Sequence, residues 1–139
     1  MADIVETIRN DASLGTLLAL LEKSGVMETL KGTGPYTLFA PNDEAFSRMN
    51  IIEYLTDMQN LSDTLTYHIA AGRHTADDIR DRDAIGTENG KYLTVTLDEG
   101  DTVVDNGKFV AVDIECSNGI IHIIDNVFQP QLSGWYRDE

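Results

Sequence analysis

The side chains in this chain that could do chemistry are three histidines, one cysteine and a large excess of carboxylates. His68, His74 and His122 stand at no spacing that suggests a zinc site. Cys116 is alone, so it offers no Cys-x-x-Cys pair. His68 falls on one helical face with Leu61, Leu65 and Ile69. His122 shares a strand face with Ile120 and Ile124. Histidines among aliphatic neighbours read as core residues whose ring nitrogens are hydrogen-bonded. If both rings instead converged on a pocket with perturbed pKa values, they would make a small-ligand receptor or an enzyme. His74 lies in a polar loop and reads as solvated.

Asp77, Asp78, Asp81 and Asp83 are interleaved with Arg80 and Arg82, the pattern of a solvated surface with local ion pairs. The ligand spacing of a calcium loop is absent. So are the Gly-x-Ser-x-Gly elbow, the P-loop and the Gly-x-Gly-x-x-Gly turn. Cys116 sits at the end of a strand, with no motif that would activate its thiol. On these grounds no catalytic residue, cofactor or metal ligand is assigned.

The elements that must position these residues divide into two halves. Ile4, Val5 and Ile8 stand at helical spacing. Leu14, Leu17, Leu18 and Leu21 predict an amphipathic helix, with Asp11 or Ser13 as cap and Gly25 as stop. Val26, Met27 and Leu30 add one turn before Gly32–Pro35 breaks the pattern. Tyr36–Ala40 reads as a short buried strand ended by Pro41, and Asn42 caps a helix through Phe46. A further helix starts near Asn60 and carries its apolar face to Ile69. Thr75 caps a last turn over Ala76–Arg80. From Tyr92 onward the period becomes two. Tyr92–Leu97, Thr102–Val104, Lys108–Glu115 and Ile120–Ile124 form a four-strand antiparallel meander. Its turns are Asp98–Asp101, Asn106-Gly107 and Ser117–Gly119. Helices followed by strands predict an α+β domain. The alternation of Val110, Val112 and Ile114 predicts a buried Ile114.

The 139 residues carry 24 acids against 10 bases, a formal charge of −14. That balance argues against nucleic acid and against docking on anionic membranes, both of which recruit basic patches. Alternatively the acidity itself is the point, as in a salt-adapted structural protein. No apolar run approaches the roughly 18 residues of a membrane span. One cysteine excludes an internal disulfide. It leaves the compartment open, because a chain of this length can build a sufficient core without one. Met1-Ala2-Asp3-Ile4 shows no secretory signal, so the chain reads as cytosolic or as a mature domain. The acids are spread evenly and there is no repeat. The expectation is one domain, 1–130, and a short tail, 131–139. In that tail Trp135 and Tyr136 are either exposed recognition anchors or a cover for the sheet.

Three segments in order resemble the fasciclin domain family. Tyr36-Thr37-Leu38-Phe39-Ala40-Pro41-Asn42-Asp43-Glu44-Ala45-Phe46 is similar to its first signature. Leu65-Thr66-Tyr67-His68-Ile69, with Gly72 following, is similar to its Tyr-His motif. Ser117-Asn118-Gly119-Ile120-Ile121-His122-Ile123-Ile124-Asp125-Asn126-Val127 is similar to its second signature. The resemblance runs from about Asp3 to Pro130. It implies an α+β domain built as a wedge of two antiparallel sheets, flanked by several short helices from the N-terminal half. In this reading Thr37, Phe39, Pro41, Asn118, Gly119 and His122 specify the fold.

The resemblance further implies a non-catalytic, secreted or cell-surface adhesion domain that binds a protein or glycan partner. Two pairs matched to the family's proposed integrin-binding positions are Asp113-Ile114 and Tyr67-His68. This chain differs in the flanks of the first pair, with Ala111-Val112 before it and Glu115 after. Periodicity favours a structural role for both pairs.

Overall fold

The computed structural model describes residues 2–130. Trp135, Tyr136 and the rest of the tail lie outside the described residues.

The N-terminal half is a chain of short helices: α1 Ile4–Arg9, α2 Gly15–Ser24, α3 Met27–Leu30, α4 Asp43–Met49, α5 Met58–Thr66 and α6 Ala76–Arg80. Their caps show why they start and stop where they do. Asn42 Oδ1 accepts the Ala45 N–H at 2.9 Å. Thr75 and Asp78 form a reciprocal capping box. Gly25 ends α2 at φ 80°, a left-handed position that glycine takes without steric cost. Asp11 caps a separate 3-10 turn, Ala12–Leu14, rather than α2 itself. The first turn of α2 is capped from a distance: Thr16 N–H donates to Asp43 Oδ1 at 2.7 Å.

Among the described residues there are seven strands, the first two set between the helices: β1 Tyr36–Pro41, β2 Ile69–Ala71, β3 Ala84–Gly86, β4 Tyr92–Asp98, β5 Asp101–Val104, β6 Gly107–Cys116 and β7 Gly119–Ile124. They run as one sheet in the order β2-β1-β7-β6-β5-β4-β3. β4 to β7 form the antiparallel meander. β1 joins it parallel to β7, so the described strands make one mixed sheet where a wedge of two antiparallel sheets was expected. Its two ends approach each other, with Glu88 N–H donating to Ile69 O at 2.8 Å.

Several boundaries differ from the sequence reading. α5 begins at its Asp57 cap and ends at Thr66. Ile69 has left the helix and pairs with Leu38 as part of β2. Strand pairing has overridden the continuing apolar period there. α4 runs past Phe46 to Met49, and β1 includes Pro41. The hairpin loop between β5 and β6 is Asp105-Asn106, one residue earlier than expected, with Asp105 at φ 51°.

β1 and β7 are buried on both faces. On one side Leu38, Ala40, Ile121 and Ile123 pack against the α1–α5 side chains. On the other, Phe39 and Ile124 join Tyr67, Ile79, Leu93, Val95, Val104 and Phe128. Strands covered on both faces read as continuous apolar runs rather than alternating ones, as Ile120–Ile124 does.

Candidate interaction site

Around β7 lies a buried run of aromatic rings and histidines. His68 stacks on Phe128 with ring centroids 4.6 Å apart and planes 12° from parallel. Phe128 leads to Phe39 at 5.7 Å, Phe39 to His122 at 5.9 Å, and His122 to Phe109 at 5.3 Å. Tyr67 meets Phe128 edge-on at 6.2 Å.

Each imidazole is held as a neutral ring with both nitrogens in use. His68 Nδ1–H donates to Thr64 O at 2.6 Å, and its Nε2 accepts the Phe128 N–H at 3.0 Å. Burial pushes its pKa from 6.5 down to about 4, against the opposing pull of the Thr64 carbonyl. His122 has the other tautomer. Its Nε2–H donates to His74 O at 2.7 Å, and its Nδ1 accepts the Asp113 N–H at 3.1 Å. Burial again lowers the pKa, opposed by the His74 carbonyl and the Asp113 carboxylate.

The four residues matched to partner binding are therefore unlike one another. Tyr67 and His68 are buried, at 0% and 1% exposed. The Tyr67 hydroxyl lies 2.6 Å from Asp105 Oδ2, tying the end of α5 to the β5–β6 loop. Asp113, by contrast, keeps 45% of its side chain exposed. Ile114 is half-buried against the helical side of the core. The alternation that predicted Ile114 beside Val110 and Val112 fails, because β6 is bulged twice. Phe109 pairs with Ile124 and Ala111 with Ile123, then Ile114 with Ile121. Each bulge inserts one extra residue and reverses which face the following side chains take. Val110 and Val112 are thereby exposed, at 58% and 40%.

Asp113 sits in the second bulge at φ 58°. Two bonds hold it there. Its N–H goes to His122, and its Oδ1 accepts the Ala76 N–H at 2.9 Å.

The residues expected to specify the fold act from buried positions. Thr37 Oγ1 donates to Gly72 O and accepts the His74 N–H, fixing the loop that carries the His122 partner. Asn118 is buried with its whole amide in use: Nδ2 donates to Leu30 O and Gly32 O, and Oδ1 accepts the Ile4 N–H. Gly119 is required by close approach, since a Cβ there would stand 2.1 Å from the Tyr36 carbonyl oxygen.

Sequence reasoning missed two further residues. Arg73 clamps the β6–β7 turn through Glu115 Oε1, Gly119 O and Cys116 O. Asp105 joins Tyr67 to the Thr94 N–H. Arg73 has no local signal. The departure of Asp105 from ordinary φ follows from its place in a two-residue turn.

Among the described residues no group of three or more His, Cys, Asp or Glu side chains is arranged to hold a metal. No described helix is long and apolar enough to cross a membrane. A hollow of about 300 Å³ is lined by Tyr54, Asp63, Asn89, Lys91 and Pro130, away from both buried histidines. Cys116 is buried, and loss of solvation raises its thiol pKa, opposite to the shift that activates a nucleophile.

A mixed sheet with most of its helices over one face, two buried histidines and a bulged strand at the surface define the class of fold. The chain belongs to the Fasciclin domain family, whose profile matches residues 12–130. It is 34% identical to the uncharacterized protein sll1735 of Synechocystis, covering 91% of this chain and 97% of that one. It is 33% identical to the cell surface glycolipoprotein MPB83 of Mycobacterium bovis, over 87% of this chain and 57% of that protein. The fold matches the FAS1 domain pair of the insect cell adhesion molecule Fasciclin I. There the TM-score is 0.77 at 19% identity, over 95% of this chain and 52% of that one. Fasciclin domains are typically extracellular or adhesion domains and generally not enzymes.

Proposed function

We propose that this chain is a non-catalytic extracellular or cell-surface interaction domain. It presents the β6 bulge at Val112, Asp113 and Ile114 to a protein or glycan partner. One observation carries this reading: of the four residues matched to partner binding, Asp113 has a substantially exposed carboxylate, displayed by a backbone fixed at φ 58°. A rigid display of this kind lowers the ordering cost of association. Tyr67 and His68 act from behind the surface, holding the α5 end and the β5–β6 loop to one core. In a longer parent chain, repeated domains would add avidity.

The test is capture of cells and of matrix extracts on the immobilised domain, with Asp113→Lys and Val112→Ser as variants. Loss of capture by about tenfold is expected for a central contact, equivalent to about 1.4 kcal/mol. Unchanged capture by both variants would move the interaction to another surface. Absence of capture by the parent domain across salt and pH would overturn the reading.

A further inference from the structure

The second bulge of β6 is held by an imidazole in one protonation state. Asp113 places its N–H on His122 Nδ1 at 3.1 Å, which requires that nitrogen to be an unprotonated acceptor. The other nitrogen is committed to His74 O at 2.7 Å. The Asp113 carboxylate lies 4.0 Å from the same Nδ1 and is meanwhile bonded to the Ala76 N–H. Asp113 thus contributes both a donor that needs the neutral ring and an acceptor that suits the charged one.

We propose that His122 is a proton switch for this surface. When the ring takes a proton at Nδ1, the Asp113 N–H loses its acceptor, and the new N–H turns to the Asp113 carboxylate. The carboxylate then releases the Ala76 N–H at the start of α6, and the bulge carrying Val112, Asp113 and Ile114 rearranges.

No second reactant is needed, because one proton moves from solvent to Nδ1 and one hydrogen bond replaces another. The left-handed backbone of Asp113 is held by the two bonds that the proton disrupts, so the bulge has a reason to move. The charged and titratable groups around the ring are few. Asp113 and Glu115 on β6 favour its charged form, and His74 on the loop before α6 opposes it. Arg73 neutralises Glu115 at 2.6 Å. The remaining ring neighbours, Phe39 of β1 and Phe109 of β6, are uncharged. Burial places the transition below the ordinary histidine range, on the acid side of neutrality.

The test uses the ¹⁵N-labelled domain in solution, followed by NMR from about pH 7.5 to about pH 4.5. The His122 ring nitrogens report the proton directly. The Asp113 and Ala76 amides report the bulge. All three are expected to move with one midpoint while the amides of β1 and α2 stay in place. Asp113→Asn keeps an acceptor for Ala76 and tolerates the left-handed backbone, but removes the charge that receives the ring. In it the His122 midpoint is expected to fall, and the residue-113 and Ala76 amides to follow it down. That variant carries no carboxylate at residue 113, and His74→Gln, followed in the same way, separates the His122 ring from the other imidazole beside it.

A ring that protonates while both amides stay fixed would overturn the proposal. So would a ring that protonates only as the whole spectrum collapses, or a midpoint that Asp113→Asn leaves unchanged. The consequence for binding, capture at neutral pH lost in acid, rests on the reading of the bulge as an interaction surface. The NMR experiment needs no partner. Absence of capture at both pH values would therefore sink that reading while the ring and amide signals still decide the switch.

Discussion

Acidification should cost this domain stability through His68. In the folded chain the ring is enclosed by Phe128 and Thr64 and protonates only near pH 4, against 6.5 for an exposed histidine. Between those values the unfolded chain holds a proton that the folded chain refuses, so stability rises with pH across that window. The contribution is complete above about pH 6.5, falls as pH drops, and levels off below about pH 4. A tenfold difference in proton affinity is worth about 1.4 kcal/mol, so the interval amounts to about 3 kcal/mol. Protonating carboxylates relieves the self-repulsion of a chain at −14 and acts in the opposite direction, so the raw pH profile mixes both effects.

A non-titrating variant separates them. His68→Asn retains a donor near Thr64 O and loses the acceptor for the Phe128 N–H. It should be less stable than the parent at pH 7 and much closer to it at pH 4. The gap between the two, measured by urea unfolding with far-UV circular dichroism, should shrink by about 3 kcal/mol. A gap constant to within about 1 kcal/mol would refute the argument. So would a His68 ring signal titrating near 6.5 in the folded protein.

Three further outcomes follow from single side chains. Thr64 is 1% exposed and its hydroxyl meets no hydrogen-bond partner among the described residues. Thr64→Val should therefore raise the midpoint of urea unfolding, by about 1 kcal/mol in free energy. Asn118→Asp keeps the shape but turns an amide donating to two carbonyls into a carboxylate facing them. A loss of about 3 kcal/mol or more is expected at neutral pH, with partial recovery in acid as the group protonates. Gly119→Ala would force a Cβ against the Tyr36 carbonyl and Ile4 Cδ1. It should unfold the domain or cost more than about 4 kcal/mol, and a thermal melt within a few degrees of the parent would contradict the close approach.

The legibility of the sequence varied with the range of the interaction. The caps at Asn42 and Thr75 lie within three residues of the groups they satisfy, so local chemistry was enough to place them. The β4–β7 meander was readable because its turns are short and its period is two. Ile69 continues the apolar period of α5 yet belongs to β2, which exists only through pairing with β1, more than thirty residues earlier in the chain. The cap on α2 has no local signal for the same reason, as Asp43 reaches it from α4. The parallel β1–β7 pair has no local signal, since its two strands are joined through most of the chain.

Local residue order carries the α+β class, the family resemblance in three ordered segments, and the burial of His68 and His122, although their ring neighbours prove to be aromatic rather than aliphatic. These follow from period, turn chemistry and residue order, which are properties of neighbouring residues. That Ile114 lies half-buried and Asp113 faces out depends on how β6 pairs with β7. A bulge is an imbalance between two strands, and one strand read alone keeps its alternation. The tertiary structure also decided the tautomer of each imidazole. A ring nitrogen donates or accepts according to the backbone group that faces it. Of those groups Thr64 O lies one helical turn from His68, and the others come from Phe128, His74 and Asp113, at 60, 48 and 9 residues' remove.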